Sequence, residues 1–293
     1  MEIKYNTAGY PIELSHPRLL FKYAPDNDNT ISALSESYLW FSNASSFNDP
    51  FEFQNALSKT RNKKAIRKLL KQPYPNATRR QLGILADKFQ KDADLQRSII
   101  NSIHEDEVSK TFVSCLTEDC TNVLMWSHYA NSHKGLCLVL DFNELFGSGS
   151  FTATKIEYVD TPRIVDFAEL YARPPVPRTD HEIKQILFGT KLKQWGYEQE
   201  FRMLSDKFGK NPITPRAFVG VVFGAKASES FRASVTSIVE EKYANTKVVD
   251  AKLNGTKGTI DVSGFHNRNL RKSILGYSGN PAEAHTAYYS GPN

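Results

Sequence analysis

The segment Trp195–Arg202 carries the residues of this chain best suited to chemistry. Its sequence places Glu198 and Glu200 one residue apart, with Arg202 two positions further on. On an extended strand alternate side chains share a face, so these three would project together with about 6 to 7 Å between successive members. Such a row of charges can act on a sugar. It can equally be a ladder of charges on a solvated strand.

The elements that would position this row are predicted from hydrophobic periodicity and turn residues. Strands are predicted over residues 18–24, 38–42, 111–116, 134–142, 155–159, 198–204, 217–223, 247–253 and 258–263. Helices are predicted over 29–37, 121–131, 180–194 and 228–243, and helices broken at Pro73 and Pro75 over 58–110. The continuously apolar segment 134–142 is expected at the centre of the sheet.

This order of elements predicts one α+β domain over residues 1–263, with a mixed, twisted β-sheet flanked by helices. Residues 58–110 are expected to form a helical, basic insertion over the core. The Gly-, Asn- and Ser-rich residues 264–293 are expected to form a flexible tail.

Composition limits the classes of protein to which the chain can belong. Its 293 residues contain no apolar run near 18 residues, so we expect no membrane partner. The first residues lack the basic and apolar regions of a secretory signal. Cys115, Cys120 and Cys137 are odd in number and form no CxxC pair, which favours reduced thiols and a cytoplasmic location.

Positive charge is concentrated in one segment. Residues 59–80 contain nine Lys or Arg and no acid, against a net charge of +5 for the whole chain. A solvated helical face and a surface for phosphate-rich nucleic acid both fit this pattern. The candidate nucleic-acid-binding residues are Lys63, Lys64, Arg67, Lys68 and Lys71.

Trp126, Tyr129 and His133 have the spacing i, i+3 and i+7, so on a helix they would share one face, either lining a pocket or packing in the core. His128 and His133 are five positions apart, a poor spacing for joint metal binding on a helix, so we expect no metal site. Asn48 and Asp49 precede Pro50 and can form a structural turn.

Three segments together resemble the bacterial domain-of-unknown-function family numbered 2971. They are Leu39-Trp-Phe-Ser with Phe47-Asn-Asp-Pro-Phe, Met125-Trp-Ser-His-Tyr-Ala with His133-Lys-Gly, and Lys193-Gln-Trp-Gly-Tyr-Glu-Gln-Glu-Phe-Arg. The resemblance spans roughly residues 18–260. It implies a bacterial setting that includes phage defence, and it implies no particular activity.

A more distant resemblance is to ADP-ribosyltransferases, which place a His or Arg on an early strand, a Ser or Thr on the next and a Glu-x-Glu on a late one. The matching positions are Lys22 within Phe-Lys-Tyr, then Ser42, then Glu198 and Glu200. The chain departs from the pattern at Lys22, because lysine lacks the planar fork of arginine. The resemblance implies an ADP-ribosyltransferase-like fold and NAD as the donor substrate.

The resemblance also implies roles for individual residues. Glu200 would stabilise an oxocarbenium-like ribose, Glu198 would orient or deprotonate the acceptor, and Ser42 would hydrogen-bond Glu200. Cations would hold the pyrophosphate and aromatic rings would stack on nicotinamide. The NAD-binding candidates are Lys22, Tyr23, Asn48, Asp49, Trp126, Tyr129, Lys191, Trp195 and Arg202.

The predicted function is therefore a bacterial ADP-ribosyltransferase-like enzyme or toxin that modifies a macromolecule, with nucleic acid favoured over protein as acceptor. Two alternatives stay open. One is a non-catalytic nucleic-acid-binding or sensing module, in which the charged row is structural. The other is a metal-dependent nuclease that uses Asp49, Glu52, Glu198 and Glu200.

Overall fold

Ten strands form one mixed, twisted sheet, and helices cover its faces. The computed structural model describes residues 19–53, 57–71, 73–146, 151–162, 164–168 and 184–265. The main path of the sheet runs in the order β11-β2-β4-β1-β5-β12-β13-β14, and β10 joins β4 to β6 beside this path. All described pairings in this sheet are antiparallel except β12 with β13.

The strands are β1 Leu19–Ala24, β2 Tyr38–Asn43, β3 Leu57–Ser58, β4 Phe112–Thr117, β5 Leu136–Asp141, β6 Thr152–Lys155, β7 Glu157–Val159, β8 Val165–Asp166, β9 Thr190–Leu192, β10 Glu200–Ser205, β11 Gly209–Pro212, β12 Phe218–Phe223, β13 Lys247–Asn254 and β14 Thr259–Val262. The helices named here are α1 Asp28–Glu36, α2 Lys63–Lys71, α3 Arg79–Lys91, α4 Ala93–Lys110, α5 Val123–Tyr129, α6 Phe142–Phe146 and α7 Glu229–Lys242, with 3-10 turns over Ala44–Ser46, Lys193–Glu198 and Pro215–Ala217.

β5 lies in the middle of the sheet, as its continuous apolar sequence predicts. All six of its residues are buried, because β1 and β12 pair with its two edges and side chains cover both faces. On one face α1 and α7 supply the buried Leu34 and Val235. On the other face the buried Trp126 of α5 packs.

Helices α2, α3 and α4 are packed against the sheet through a shared apolar layer; α2 and α3 are basic, whereas α4 carries more acidic than basic residues. Ile66, Phe89 and Ile100 are buried there together with Val113 of β4 and Leu204 of β10. The apolar faces of these helices help to cover the two strands nearest the charged row.

Several predicted boundaries are wrong. The helix expected over 180–194 is helical only at 184–188 among its described residues, and β9 and a 3-10 turn follow. The predicted strand 198–204 begins at Glu200. The tail expected over 264–293 lies outside the described residues apart from Gly264 and Phe265, and Phe265 is buried against Gly220.

Across the described residues, no helix combines the length and the apolar character that crossing a membrane would require.

Candidate functional site

A pocket lies beside β4, where β1 and β2 pair with opposite ends of this strand and leave its middle unpaired on that edge. Glu200 of β10 pairs with Thr117, and β1 meets the same residue from the opposite edge. At the other end of β4, β2 pairs with Phe112 and Val113 on the edge that β1 uses. Residues 114–116 therefore lie between the two pairings.

Lys22 of β1 bridges this separation. Its Nζ donates hydrogen bonds to Ser114 Oγ (3.1 Å) and to the Cys115 carbonyl (3.2 Å). Burial lowers the pKa of Lys22, while the nearby Cys115 and Glu200 raise it to a smaller extent. The side chain thus places an amine at the pocket wall and satisfies a strand carbonyl at the same time.

The pocket has a volume of about 150 Å³. Its walls include Phe21, Phe47 and Met125 as apolar surfaces. The ionisable and amide side chains that line it are Lys22, Tyr23, Asn48, Cys115, Tyr129, Lys191, Glu198 and Glu200. An apolar enclosure with a few converging polar groups is the usual form of a small-molecule site.

Beside the pocket, five charged side chains form what we call the buried ion cluster: Glu52, Lys191, Glu198, Glu200 and Arg202. Lys191 is its first cation. Its Nζ lies 2.6 Å from Glu198 Oε2, 3.0 Å from Glu52 Oε1 and 3.2 Å from Glu200 Oε2. Burial works to lower the pKa of Lys191, but the three carboxylates outweigh it and raise the pKa.

Arg202 is the second cation and is fully buried. Its Nε and Nη2 donate to the two oxygens of Glu200 at 2.7 and 3.1 Å, and Nη1 donates to the Phe188 carbonyl at 2.8 Å. Nη2 also donates to Glu52. The guanidinium centre lies 4.9 Å from the Phe53 ring centroid, so an aromatic face covers it.

The two carboxylates of Glu200 and Glu52 respond differently to this environment. Burial works to raise the pKa of Glu200, but Arg202 and Lys191 outweigh it and lower the pKa to about 2. For Glu52 burial dominates, and its pKa is raised despite the same two cations. Glu200 is therefore a permanent anion at neutral pH.

The backbone at Gln199 explains how Glu198 and Glu200 reach the same ammonium. Glu198 ends a 3-10 turn, Gln199 is left-handed with φ 44°, and β10 begins at Glu200. Thr117 Oγ1 donates to the Glu198 carbonyl at 2.6 Å and holds this turn. The prediction that Glu198 and Glu200 share one face of an extended strand is therefore wrong, because Glu198 lies in the turn before the strand. The two carboxylates nevertheless converge on Lys191.

Helix α5 supplies Tyr129, whose hydroxyl donates to Glu198 Oε1 at 2.7 Å. Burial, together with the hydrogen bond to Glu198 and its charge, raises the pKa of Tyr129, while an Asn48 side-chain hydrogen bond lowers it to a smaller extent. The helix is anchored by Asn122, whose side chain caps Leu124 and Met125 and donates to the Tyr197 carbonyl at 2.9 Å.

Most of the residues predicted from the sequence meet at this pocket. Lys22, Tyr23, Asn48, Tyr129, Lys191, Glu198 and Glu200 line it. Arg202 lies behind Glu200, and the Trp195 ring centroid lies 4.6 Å from Lys191 Nζ. Tyr23 directs its hydroxyl away, to the Asp119 carbonyl at 3.0 Å.

Three predicted residues do not join the site. Ser42 pairs with Val113, four residues along β4 from the Thr117 partner of Glu200, which is about 13 Å. The predicted hydrogen bond between Ser42 and Glu200 is therefore wrong.

Trp126 is fully buried, and its Nε1 donates to the Cys120 carbonyl at 2.8 Å, so it packs in the core and cannot stack on a ligand. Asp49 is buried and accepts a hydrogen bond from the Phe51 amide at 2.9 Å. It therefore forms the turn, which was the structural alternative.

Some members of the site were not predicted. The sequence predicts Glu52 only as a metal ligand of the nuclease alternative and gives Cys115 and Tyr158 no part in the site. Cys115 lines the pocket, and the Tyr158 hydroxyl accepts a hydrogen bond from the Glu200 amide at 2.8 Å. These residues come from strands and loops far apart in the chain, and no local pattern in the sequence connects them.

The geometry gives the nuclease alternative no support. Glu52, Glu198 and Glu200 do converge, but the ammonium of Lys191 occupies the point at which they meet. Asp49 is engaged in its own turn. Within the described residues, no three His, Cys, Asp or Glu side chains are grouped to hold a metal ion.

The candidate nucleic-acid-binding residues lie on α2 and differ in availability. Lys63 forms an ion pair with Asp87 at 2.6 Å, and Arg67 is half-buried. Lys64, Lys68 and Lys71 are exposed, and Lys71 also donates to the Ala77 carbonyl at 3.2 Å. Three of the five candidates therefore present charge to solvent without a carboxylate partner among the described residues.

Comparison with known proteins gives one match. The model of the family described as "Protein of unknown function (DUF2971)" matches residues 125–203. This range contains the second and third of the three motif segments and all of the charged row, and the first segment lies outside it. Neither the curated proteins nor the solved structures gave a match. The predicted resemblance to this family of unknown function is therefore confirmed over residues 125–203.

Proposed function

We propose that this protein is an ADP-ribosyltransferase-like enzyme with the corresponding fold, and that its pocket holds the nicotinamide-ribose end of NAD. The observation that carries the proposal is that Lys22 lines the same pocket as Glu198 and Glu200, which lie far from it in the chain. A toxin or phage-defence enzyme acting in the bacterial cytoplasm would fit this activity, and the three cysteines are free thiols.

The volume of the pocket suits one ring of a ligand, such as nicotinamide or ribose, and not a whole dinucleotide. Its 150 Å³ is smaller than the roughly 300 to 1,000 Å³ that encloses a drug-sized ligand. The remainder of a dinucleotide would lie outside, across the exposed Asn48.

The charge of the site supports cleavage of a glycosidic bond. A ribosyl group that loses nicotinamide develops positive charge at C1′, and a fixed anion nearby stabilises that charge. Glu200 remains ionised because its pKa is lowered to about 2. Glu198 adds a second carboxylate, which Lys191 and Tyr129 hold in place.

The proposed reaction is balanced as follows. The bond between C1′ and the nicotinamide nitrogen breaks, and its electron pair leaves with neutral nicotinamide. A hydroxyl or amine of the acceptor forms the new bond to C1′, and its proton passes to Glu198 and then to solvent. The acceptor is proposed to be a macromolecule, with nucleic acid favoured by the exposed Lys64, Lys68 and Lys71.

The test is nicotinamide release from NAD, with label transfer from adenine-labelled NAD to cell-extract macromolecules as a second measurement. Asn48→Trp would obstruct the pocket at an exposed position, and Ser45→Trp is the matched control at an exposed residue that does not line it. We expect Asn48→Trp to lose the activity and Ser45→Trp to keep it. A wild-type protein that neither releases nicotinamide nor transfers label contradicts the proposal, and equal activity in both variants would place the reaction elsewhere.

A further inference from the structure

The two carboxylates at the pocket differ in how many hydrogen-bond acceptor positions are still free. An ionised carboxylate offers about four lone-pair positions on its two oxygens. Both Glu198 and Glu200 are almost completely buried and line the same pocket. Their partners therefore decide which of them can accept a new hydrogen bond from a ligand.

Glu200 accepts three side-chain hydrogen bonds. Arg202 Nε donates to Oε1 at 2.7 Å, and Arg202 Nη2 and Lys191 Nζ donate to Oε2 at 3.1 and 3.2 Å. Its backbone is fixed as well, because it pairs with Thr117 in the sheet and its amide donates to Tyr158. About three of its four acceptor positions are therefore occupied by the protein itself.

Glu198 has two side-chain donors, one on each oxygen. Tyr129 donates to Oε1 at 2.7 Å and Lys191 donates to Oε2 at 2.6 Å. About two lone-pair positions therefore remain for a ligand. These two partners fix the position of the carboxylate and leave part of its acceptor capacity unused.

We propose that Glu198 is the carboxylate that contacts the ribose and the acceptor, and that Glu200 is a positioning residue that holds Lys191 and Arg202. This assignment rests on the proposed function. It moves the ribose contact, which the sequence resemblance gives to Glu200, to Glu198, and it limits the part of Glu200 in stabilising the ribosyl charge to its fixed negative charge nearby. Glu200 orders Lys191, and Lys191 in turn orients Glu198 toward the pocket.

The test compares Glu198→Gln with Glu200→Gln, each nearly equal in size to the residue it replaces. Glu36→Gln, at an exposed carboxylate paired with Lys210, is the control for loss of an ion pair. Steady-state nicotinamide release gives kcat and KM, and thermal melting reports folding. All variants are assayed below the melting transition of the least stable one.

We expect Glu198→Gln to lower kcat by about 100-fold or more, because a general base contributes on this scale. Its melting temperature should fall less than that of Glu200→Gln, because Glu198 pairs with one cation of the buried ion cluster and Glu200 pairs with two. We expect Glu200→Gln to melt at a clearly lower temperature and to raise KM more than it lowers kcat. Without the Glu200 carboxylate, Lys191 and Arg202 are held less firmly. This weakens binding of the ground state and the transition state alike, which raises KM more than it lowers kcat.

Glu198→Gln with wild-type kcat overturns the assignment, even if Glu200→Gln fails to fold. A folded Glu200→Gln protein that loses as much kcat as Glu198→Gln overturns it as well. In both cases an active wild type leaves the proposed function standing. A wild type that releases no nicotinamide overturns the proposed function and this assignment together.

Discussion

Two ion pairs of equal length lie in very different surroundings in this protein. Lys63 Nζ and Asp87 Oδ1 are 2.6 Å apart on the basic helices, with both side chains about half exposed. Lys191 Nζ and Glu198 Oε2 are also 2.6 Å apart, but both side chains are 4% exposed. Water screens the first pair, whereas the second must be balanced by other protein groups.

The difference shows why the buried ion cluster contains alternating charges and not a single pair. Each charge removed from water needs several partners, so Lys191 contacts three carboxylates and Arg202 contacts two. The exposed helices tolerate an excess of positive charge because solvent compensates it. One region is therefore sensitive to every substitution, and the other is available for weak, salt-dependent contacts.

The largest effect is expected from Arg202→Met, which leaves Glu200 and Glu52 buried with fewer partners. Removal of one member of a buried ion pair typically costs about 3 to 5 kcal/mol of the free energy of unfolding. Urea denaturation measures this cost. Lys63→Met is the control for loss of a cation from an exposed ion pair, and its unfolding midpoint should stay at the wild-type value. Equal losses of stability in the two variants would remove the distinction between the regions.

A smaller effect is expected from acid. The pKa of Glu200 is about 2 in the folded protein against an ordinary value of 4.5, so the unfolded chain binds its proton first as the pH falls. The stability from Glu200 is complete above about pH 4.5 and is lost as the pH falls toward 2, a total of about 3 kcal/mol.

The pKa of Glu52 is raised in the folded protein, so its protonation at low pH stabilises the folded state and opposes the loss of stability from Glu200. The measurement is urea denaturation of wild type and Glu200→Gln at several values between about pH 6 and 3. The variant should be less stable at the upper end and lose less stability on acidification. Parallel pH profiles for the two proteins would show that Glu200 is not the linked group.

The smallest effect concerns the exposed region. If nucleic acid binds α2, replacing Lys64, Lys68 and Lys71 by alanine should weaken binding of single-stranded RNA and reduce the slope of log K against log salt by about 2. Fluorescence anisotropy at several salt concentrations measures it. The control variant has alanine at the exposed Lys226, Lys247 and Lys252, which removes the same charge away from α2. An equal reduction of the salt slope in the control would indicate nonspecific attraction of RNA to the whole protein.

The sequence alone predicted most strands, the central position of β5 and the importance of residues 191–202. Local patterns carry this information, because a buried strand needs continuous apolar residues and a turn needs Asn, Asp or Pro. That Lys22 could meet Glu198 and Glu200 was implied by the resemblance to ADP-ribosyltransferases and not by these patterns. They did not indicate the short strands β9 and β11, which consist of few residues with no clear periodicity.

Tertiary structure decided which residues share the pocket and what each can do. The positions of Ser42 and Glu200 depend on which end of β4 each strand pairs with, and register is set by contacts distant in sequence. The left-handed Gln199, the ammonium between three carboxylates and the larger number of donors to Glu200 than to Glu198 depend on the same packing. Residue types set the possible charges, and only the folded arrangement determines which charge has a free lone pair.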